Sequence, residues 1–339
     1  MHRSEITIDL GALRRNVRRL REVLGESELW AVVKADGYGH GAVDVARTAL
    51  GEGAAALCVA TVAEALELRA AFPEARILVM GPTSGHEVSA ARDARLELAV
   101  VDGEIPEGVP VHLKLDTGMG RWGLAELPEP SSGVTGLMTH LATADSDVAF
   151  AREQVARFEE ATKRYSHLTR HVANSAAALR LPEARFDAAR CGIALYGLSP
   201  FGVDPAEDGL EPVLRWESRL GQVKRLAAGE STGYGRRFIA GEDTWIGIVP
   251  VGYADGFRRD MTGTDVIVEG ERRPVVGTVS MDALSVELPE EMPVGTRVSL
   301  IGDGLLAEDH ASVADTINYE IVSGIDSRPI RARRTVVDA

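Results

Sequence analysis

"WAVVKADGYGHG" (30–41) sets one lysine between an apolar run and a glycine-rich turn. The apolar residues followed by Asp-Gly read as a short buried strand ending at a turn. "AVDVARTALGE", which comes next, has helical spacing. The same unit recurs over the first two hundred residues. Strand candidates are "WAVVK" (30–34), "ALCVA" (56–60), "RILVM" (76–80), "LELAVV" (96–101), "VHLKLD" (111–116), "VTGLMTHL" (134–141), "LTRHVAN" (168–174) and "AARCGIALYG" (188–197). Helical stretches such as "TVAEALELRAAF", "HEVSAARDAR" and "AREQVARFEEATKRY" separate several of them. Short buried runs alternating with helices predict parallel βα units, and about eight such units predict a TIM-type (β/α)8 barrel. Two connections are short for that picture: nine residues, "DGEIPEGVP", join Val101 to Val111, and "WGLAELPEPSSG" precedes Val134. A parallel crossover usually needs about a dozen residues or more. Either helices are missing there or the strand count is off by one.

Past about residue 212 the texture changes. "WESRLGQVKRL", "TWIGIVPVGYADG", "DVIVEG", "ERRPVVGTVSMDALSVEL" and "TRVSLIG" are β-type runs cut by Gly, Asp and Pro turns. They predict a mostly antiparallel β domain. The expected division is a barrel over 11–208 and a β domain over 209–339 that also takes the N-terminal strand 1–10.

The totals narrow the function classes. The chain has 339 residues, 45% hydrophobic and 26% charged, with a formal net charge of −14. That charge argues against a nucleic-acid surface, and the basic cluster "RRNVRRLR" (14–21) reads as a solvated helix face. No apolar run reaches the roughly 18 residues of a membrane span, and the N-terminus lacks a signal-peptide pattern. Two cysteines, Cys58 and Cys191, imply no disulfide framework, so a cytoplasmic location is expected.

In a barrel of this type, catalytic side chains sit at the C-terminal ends of the strands. Lys34 is at such an end. A lysine beside an apolar core has its ammonium form disfavoured, which frees the amine for covalent chemistry. A strand-end lysine that merely reaches water would look the same in this window. "HLTRH" (167–171) spaces two histidines as a helical metal pair would, but His171 opens a strand-like block and no metal is expected.

"AVVKADGYGHG" closely resembles the pyridoxal-phosphate signature of the alanine racemase family, and the likeness continues in order. "VHLKLDTGMGRWG" (111–123), "THLATAD" (139–145), "HVANSAAAL" (171–179), "ARCGIALYG" (189–197), "GYGRRF" (233–238), "VPVGYADGFRR" (249–259) and "SMDA" (280–283) resemble the family's other blocks. The resemblance implies an isomerase that interconverts L- and D-alanine with pyridoxal 5'-phosphate. Lys34 would carry the cofactor and act as one base. Tyr234, from the partner subunit of a homodimer, would be the other. Two bases make chemical sense, because one fixed group cannot easily serve both faces of a Cα carbanion.

Under the same resemblance, His140 and Arg190 form a linked pair beneath the pyridine ring. Arg190, always protonated, would face the ring nitrogen and leave it unprotonated. Tyr38, Asn174, Ser175 and backbone amides near Gly192 and Ile193 would hold the phosphate. Asn174-Ser175 precedes "AAALRL" as an N-cap would. Arg121 would bind the substrate carboxylate, with Lys114 beside it as a candidate for carbamylation, and Met281 and Asp282 would complete that pocket from the partner.

Departures from the family bear on substrate range. Ser327 stands where a tyrosine is usual, Thr278 where many members have an arginine, and Ala283 where glutamine is common. A widened corridor would admit serine or larger amino acids. Two other readings keep the cofactor: a decarboxylase of the same architecture, and a non-catalytic protein that stores it. Neither the glutamate nor the "CESxD"-like block of the decarboxylases is present, and the β domain and Tyr234 speak against storage.

Overall fold

A computed structural model describes residues 3–339. It divides into two compact units. One holds the chain up to Ala12, Gly202–Glu207 and Glu211–Ala339; the other holds Leu13–Phe201 and Asp208–Leu210.

In the first unit, strand β1 (Ser4–Asp9) opens the chain. The second unit is a closed parallel barrel of β2 (Glu28–Val32), β3 (Ala56–Val59), β4 (Ile77–Val79), β5 (Glu97–Val100), β6 (Val111–Lys114), β7 (Val134–Met138), β8 (Thr169–His171) and β9 (Ala188–Cys191). Pairing of Glu28 with Ala188 and of Ala31 with Cys191 closes the ring. Most strand residues are apolar and buried on both faces, as a covered parallel sheet requires.

Helices Ala42–Gly51, Val62–Ala71 and Gly85–Asp93 follow β2, β3 and β4. Val62–Ala71 starts from a capping box in which Thr61 and Glu64 satisfy each other's free backbone N–H groups. Val148–Thr162 and Ser175–Arg180 serve β7 and β8. The eight-strand count therefore holds. The links β5–β6 and β6–β7 are short because they contain no helix. In the second, Leu124 returns to β6: its N–H donates to the Lys114 carbonyl (2.7 Å), and its own carbonyl accepts from Asp116 N–H (2.9 Å). Beside it lies a cleft of about 720 Å³ lined by Leu115, Thr117, Leu127, Arg157 and Ala161 among others. The basic cluster 14–21 falls on helix Leu10–Leu24, where Arg18 pairs with Glu52 (2.7 Å) and Arg19 with Glu22 (3.2 Å).

The remaining strands belong to the first unit. They are β10 (Leu214–Arg219), β11 (Gln222–Leu226), β12 (Ser231–Thr232), β13 (Phe238–Ile239), β14 (Thr244–Val249), β15 (Asp265–Val268), β16 (Glu271–Val276), β17 (Leu284–Leu288), β18 (Arg297–Ile301) and β19 (Ala332–Val337). Nine strands form one sheet in the order β11-β14-β17-β16-β15-β18-β10-β1-β19, and β12-β13 make a separate hairpin. β1, made first, lies between β10, antiparallel, and β19, parallel. Among the described residues no helix is long and apolar enough to cross a membrane.

Candidate active site

Lys34 stands two residues beyond β2. The chain turns there through a run of positive-φ residues, Ala35 (φ 51°, ψ 51°), Asp36 (51°, 48°), Gly37 (61°, 43°), Tyr38 (φ 54°) and Gly39 (φ 81°). Left-handed backbone costs an L-residue roughly 1–2 kcal/mol, so the turn persists only because its polar groups are held. Ala35 N–H donates to Glu64 Oε1 (2.7 Å) and Ala42 N–H to Asp36 Oδ1 (2.8 Å). Glu64 also accepts from Ala60 and Thr61 N–H (2.8 and 3.0 Å), which ties the turn to the start of the next helix. Burial, then the Arg121 charge, lowers the Lys34 pKa below the usual lysine value.

Tyr38 closes the turn. Its ring stacks on Tyr196 (centroids 4.9 Å apart) and lies 5.9 Å from Lys34 Nζ. Its hydroxyl reaches β9's end, where a Cβ added to Gly192 would lie only 2.5 Å from it. Gly192 N–H donates to Ser175 Oγ (3.0 Å), and Asn174 caps its helix by accepting Ala177 N–H (3.0 Å). Tyr38, Ser175 and Gly192, drawn from three loops, thus meet at one end of the barrel, with Asn174 and Ile193 next to them in the chain.

Arg190 in β9 is buried, and among the described residues it makes no ion pair. Nη1 donates to His171 Nδ1 and the His171 carbonyl (both 2.7 Å), and Nη2 to the carbonyls of Thr139 (2.7 Å) and Val172 (3.2 Å). Those four contacts take the four Nη hydrogens and leave Nε–H as the donor for the site. The hydrogen-bonded side-chain partner of the guanidinium is His171. His140 responds to it electrostatically, and burial followed by the Arg190 charge lowers the His140 pKa to about 3. His171, singled out in the sequence only as half of a metal-like spacing, gives its Nδ1 to Arg190.

Lys114 ends β6. Burial, then the charges of Arg190 and Arg121, lowers its pKa to about 8. Lys114 Nζ and Arg121 Cζ lie 5.9 and 5.5 Å from the Trp122 ring centroid. The loop after Lys114 is held by Asp116, which accepts N–H bonds from Gly118, Met119 and Gly120.

The first unit carries the other expected residues. Tyr234 is 69% exposed in the turn between β12 and β13, flanked by Gly233 (φ 77°) and Gly235 (φ 73°). Thr278 Oγ1 donates to the Tyr234 carbonyl (2.9 Å). Met281 is exposed. Asp282 pairs with Arg331 (2.7 Å) and Arg3 (3.4 Å), which holds its carboxyl below the usual range. Exposed Tyr253 joins this edge through its N–H to the Ser280 carbonyl (3.1 Å). Ala283 O accepts from Ser280 N–H (2.9 Å), and Ser327 is half-buried beside Asp326.

Residues 8–200 match the family described as alanine racemase, N-terminal domain, and residues 213–333 match alanine racemase, C-terminal domain. The chain belongs to the alanine racemase family. Alanine racemase of Lactiplantibacillus plantarum is 40% identical, with 96% of each chain covered. The biosynthetic alanine racemase structure from Pseudomonas aeruginosa superposes with a TM-score of 0.91 at 36% identity, covering 99% of this chain and 100% of that one. The Streptomyces coelicolor alanine racemase gives 0.90 at 38%, covering 99% and 98%. A match to both halves sets aside the decarboxylase and the barrel-only storage protein.

Proposed function

We propose that this chain is a pyridoxal 5'-phosphate-dependent racemase that interconverts L- and D-alanine with Lys34 and Tyr234 as its two bases. The observation that carries it is Lys34: a partly buried amine with a lowered pKa, fixed on a strained turn at the C-terminal end of a barrel strand. The other residues suit the cofactor. Without a side chain, Gly192 lets the Tyr38 hydroxyl close on the backbone at the end of β9, and Nε–H of Arg190 offers one donor to a ring nitrogen. When bound, pyridoxal phosphate supplies the electron-withdrawing group that makes the substrate Cα–H acidic.

The protein's share is positioning and proton movement. Lys34 holds the cofactor and then moves a proton at one face of Cα. Tyr234 does so at the opposite face. Tyr38, Asn174, Ser175 and the amides around Gly192 and Ile193 anchor the phosphate. Arg190, with His140 kept neutral near it, would offer its Nε–H to the ring nitrogen of the bound cofactor and so leave that nitrogen unprotonated. Arg121 binds the substrate carboxylate, and carbamylated Lys114 holds Arg121 by charge. A lysine amine with a pKa near 8 is neutral often enough at mild pH to take up CO₂.

In this reading Tyr234, Met281 and Asp282 act on the barrel of a second copy, so the enzyme is a homodimer with shared sites. The exposure of Tyr234, Tyr253 and Met281 supports it. Ser327, in place of the family's tyrosine, supports a tolerance for serine. Thr278 gives weaker support, since its hydroxyl is engaged with the Tyr234 carbonyl.

The test is racemisation of a panel of L-amino acids by the purified, cofactor-loaded protein. Alanine is expected to be turned over, serine more slowly, and Lys34→Ala to be inactive. Tyr234→Phe is expected to abolish exchange of the Cα hydrogen with D₂O from one enantiomer only. Absence of D-alanine would refute the assignment, and strict alanine preference would refute the broadened range.

A further inference from the structure

Four polar side chains from four barrel strands form one line of hydrogen bonds through the barrel interior. Arg190 Nη1 meets His171 Nδ1 at 2.7 Å, His171 Nε2 meets His112 Nδ1 at 2.7 Å, and His112 Nε2 meets Glu97 Oε2 at 2.8 Å. Both imidazoles are fully buried. Trp30 of β2 packs on both, with centroids 5.7 and 4.5 Å away. Arg76 holds the other Glu97 oxygen through Nε (2.7 Å) and lies over Trp30.

The direction of the line follows from chemistry. Arginine can only donate, so His171 Nδ1 must accept. In a neutral ring the proton is then on Nε2, which donates to His112 Nδ1. That places the His112 proton on Nε2, where it donates to Glu97. Every hydrogen bond points away from Arg190 and toward a carboxylate.

A second, independent feature makes room for the line. β7 lies between β6 and β8 in the barrel, and at its centre is Gly136. A Cβ there would stand 2.2 Å from His112 Nδ1. Glycine inside a strand marks a close approach, and here it lets His112 pass β7 to reach His171. The register of β6 on β7 slips at the same point, between Val111 and His112.

We propose that Glu97 is a positioning residue for Arg190: as the acceptor at the far end of the line it holds, through His112 and His171, the donor direction that Arg190 requires at the near end, and so the orientation of the guanidinium. The functional half rests on the racemase reading, in which Arg190 Nε–H faces the cofactor. The tautomers do not depend on it. Glu97→Gln keeps the shape but adds an amide donor that can turn toward His112 Nε2. The line can then run backwards, ending with a His171 Nδ1–H that confronts an Arg190 N–H.

The experiment is NMR of the loaded enzyme with ¹⁵N-labelled histidine, assigned with single His112 and His171 substitutions. Both rings are expected as neutral Nε2–H tautomers. In Glu97→Gln that pattern is expected to mix. The kcat for alanine should fall on the order of tenfold, the scale of losing a hydrogen bond to a charged group, with KM little changed. Glu97→Asp is expected to restore the tautomers in part. Gly136→Ala should lose both signals. Should that variant not fold, Glu97→Gln carries the decision, with circular dichroism as its folding control. A charged or Nδ1–H ring at either position overturns the proposal, as does a Glu97→Gln enzyme with wild-type tautomers and kcat. If the tautomers hold while no racemisation is found, the functional assignment fails and the line survives.

Discussion

Thr278 shows how one side chain can be read in two ways. In the sequence it is a departure that suggests a wider entrance for substrate. In the structure its hydroxyl holds the carbonyl of Tyr234 in a turn flanked by left-handed glycines. Thr278→Val removes that bond, worth about 1 kcal/mol. It is expected to slow proton transfer at the tyrosine face by roughly fivefold while Thr278→Ser does not. Hydrogen exchange with D₂O, followed separately for each enantiomer, checks it: equal slowing at both faces would point to general loosening. Lys34, Tyr234 and Arg190 stand out as candidates in the sequence because each lies inside a distinctive block. The partner of Arg190 was not, because His171 is nineteen residues away along the chain and meets it only across β8 and β9. Two signals were available: a histidine inside the apolar run "VHLKLD", and a glycine inside "VTGLMTHL".

At the scale of elements, the strands were legible because buried parallel strands are continuous apolar runs bounded by turns. The two bare crossovers were legible only as an anomaly of length. What spacing could not convey is the backbone around Lys34. Five successive residues, 35 to 39, have the positive φ that L-residues rarely sustain, and three of them, Ala35, Asp36 and Tyr38, are not glycine. The strain is offset by Glu64 and Asp36, whose hydrogen bonds depend on helices placed by the whole barrel. Gly192 is the counterpart across the site. Gly192→Ala sets a methyl carbon against the Tyr38 hydroxyl, so either the ring or the β9 loop must shift. The expected result is cofactor binding at least tenfold weaker, with a change in melting temperature of only a few degrees, the scale of about 1 kcal/mol. Titration of the apoprotein with pyridoxal phosphate measures the first, and thermal unfolding of the same samples the second.

For the molecule as a whole, buried histidines set the response to acid. Burial lowers the pKa of His112, His140, His171 and His310, with His140 at about 3. Unfolded histidine titrates near 6.5. Between the folded values and 6.5 the unfolded chain binds more protons, so stability falls as pH drops below about 6.5 and is fully present above it. Each histidine adds up to about 1.4 kcal/mol per pH unit in that window. The denaturant midpoint is expected to fall steeply from pH 7 to pH 5, and replacing His310 with an apolar residue should flatten the slope; a midpoint flat over that range would contradict it. The placement of β1 between β10 and β19 has a further consequence in the order of synthesis. On the ribosome the barrel's strands are all present by Cys191, so that unit can close while the rest is still being made. β1 emerges first, yet its neighbours are translated some two hundred and more than three hundred residues later. Until then it is an exposed edge carrying Ile6 and Ile8, side chains fully buried in the finished protein, and nascent chains of this enzyme are most vulnerable to chaperones, proteases and one another during that wait.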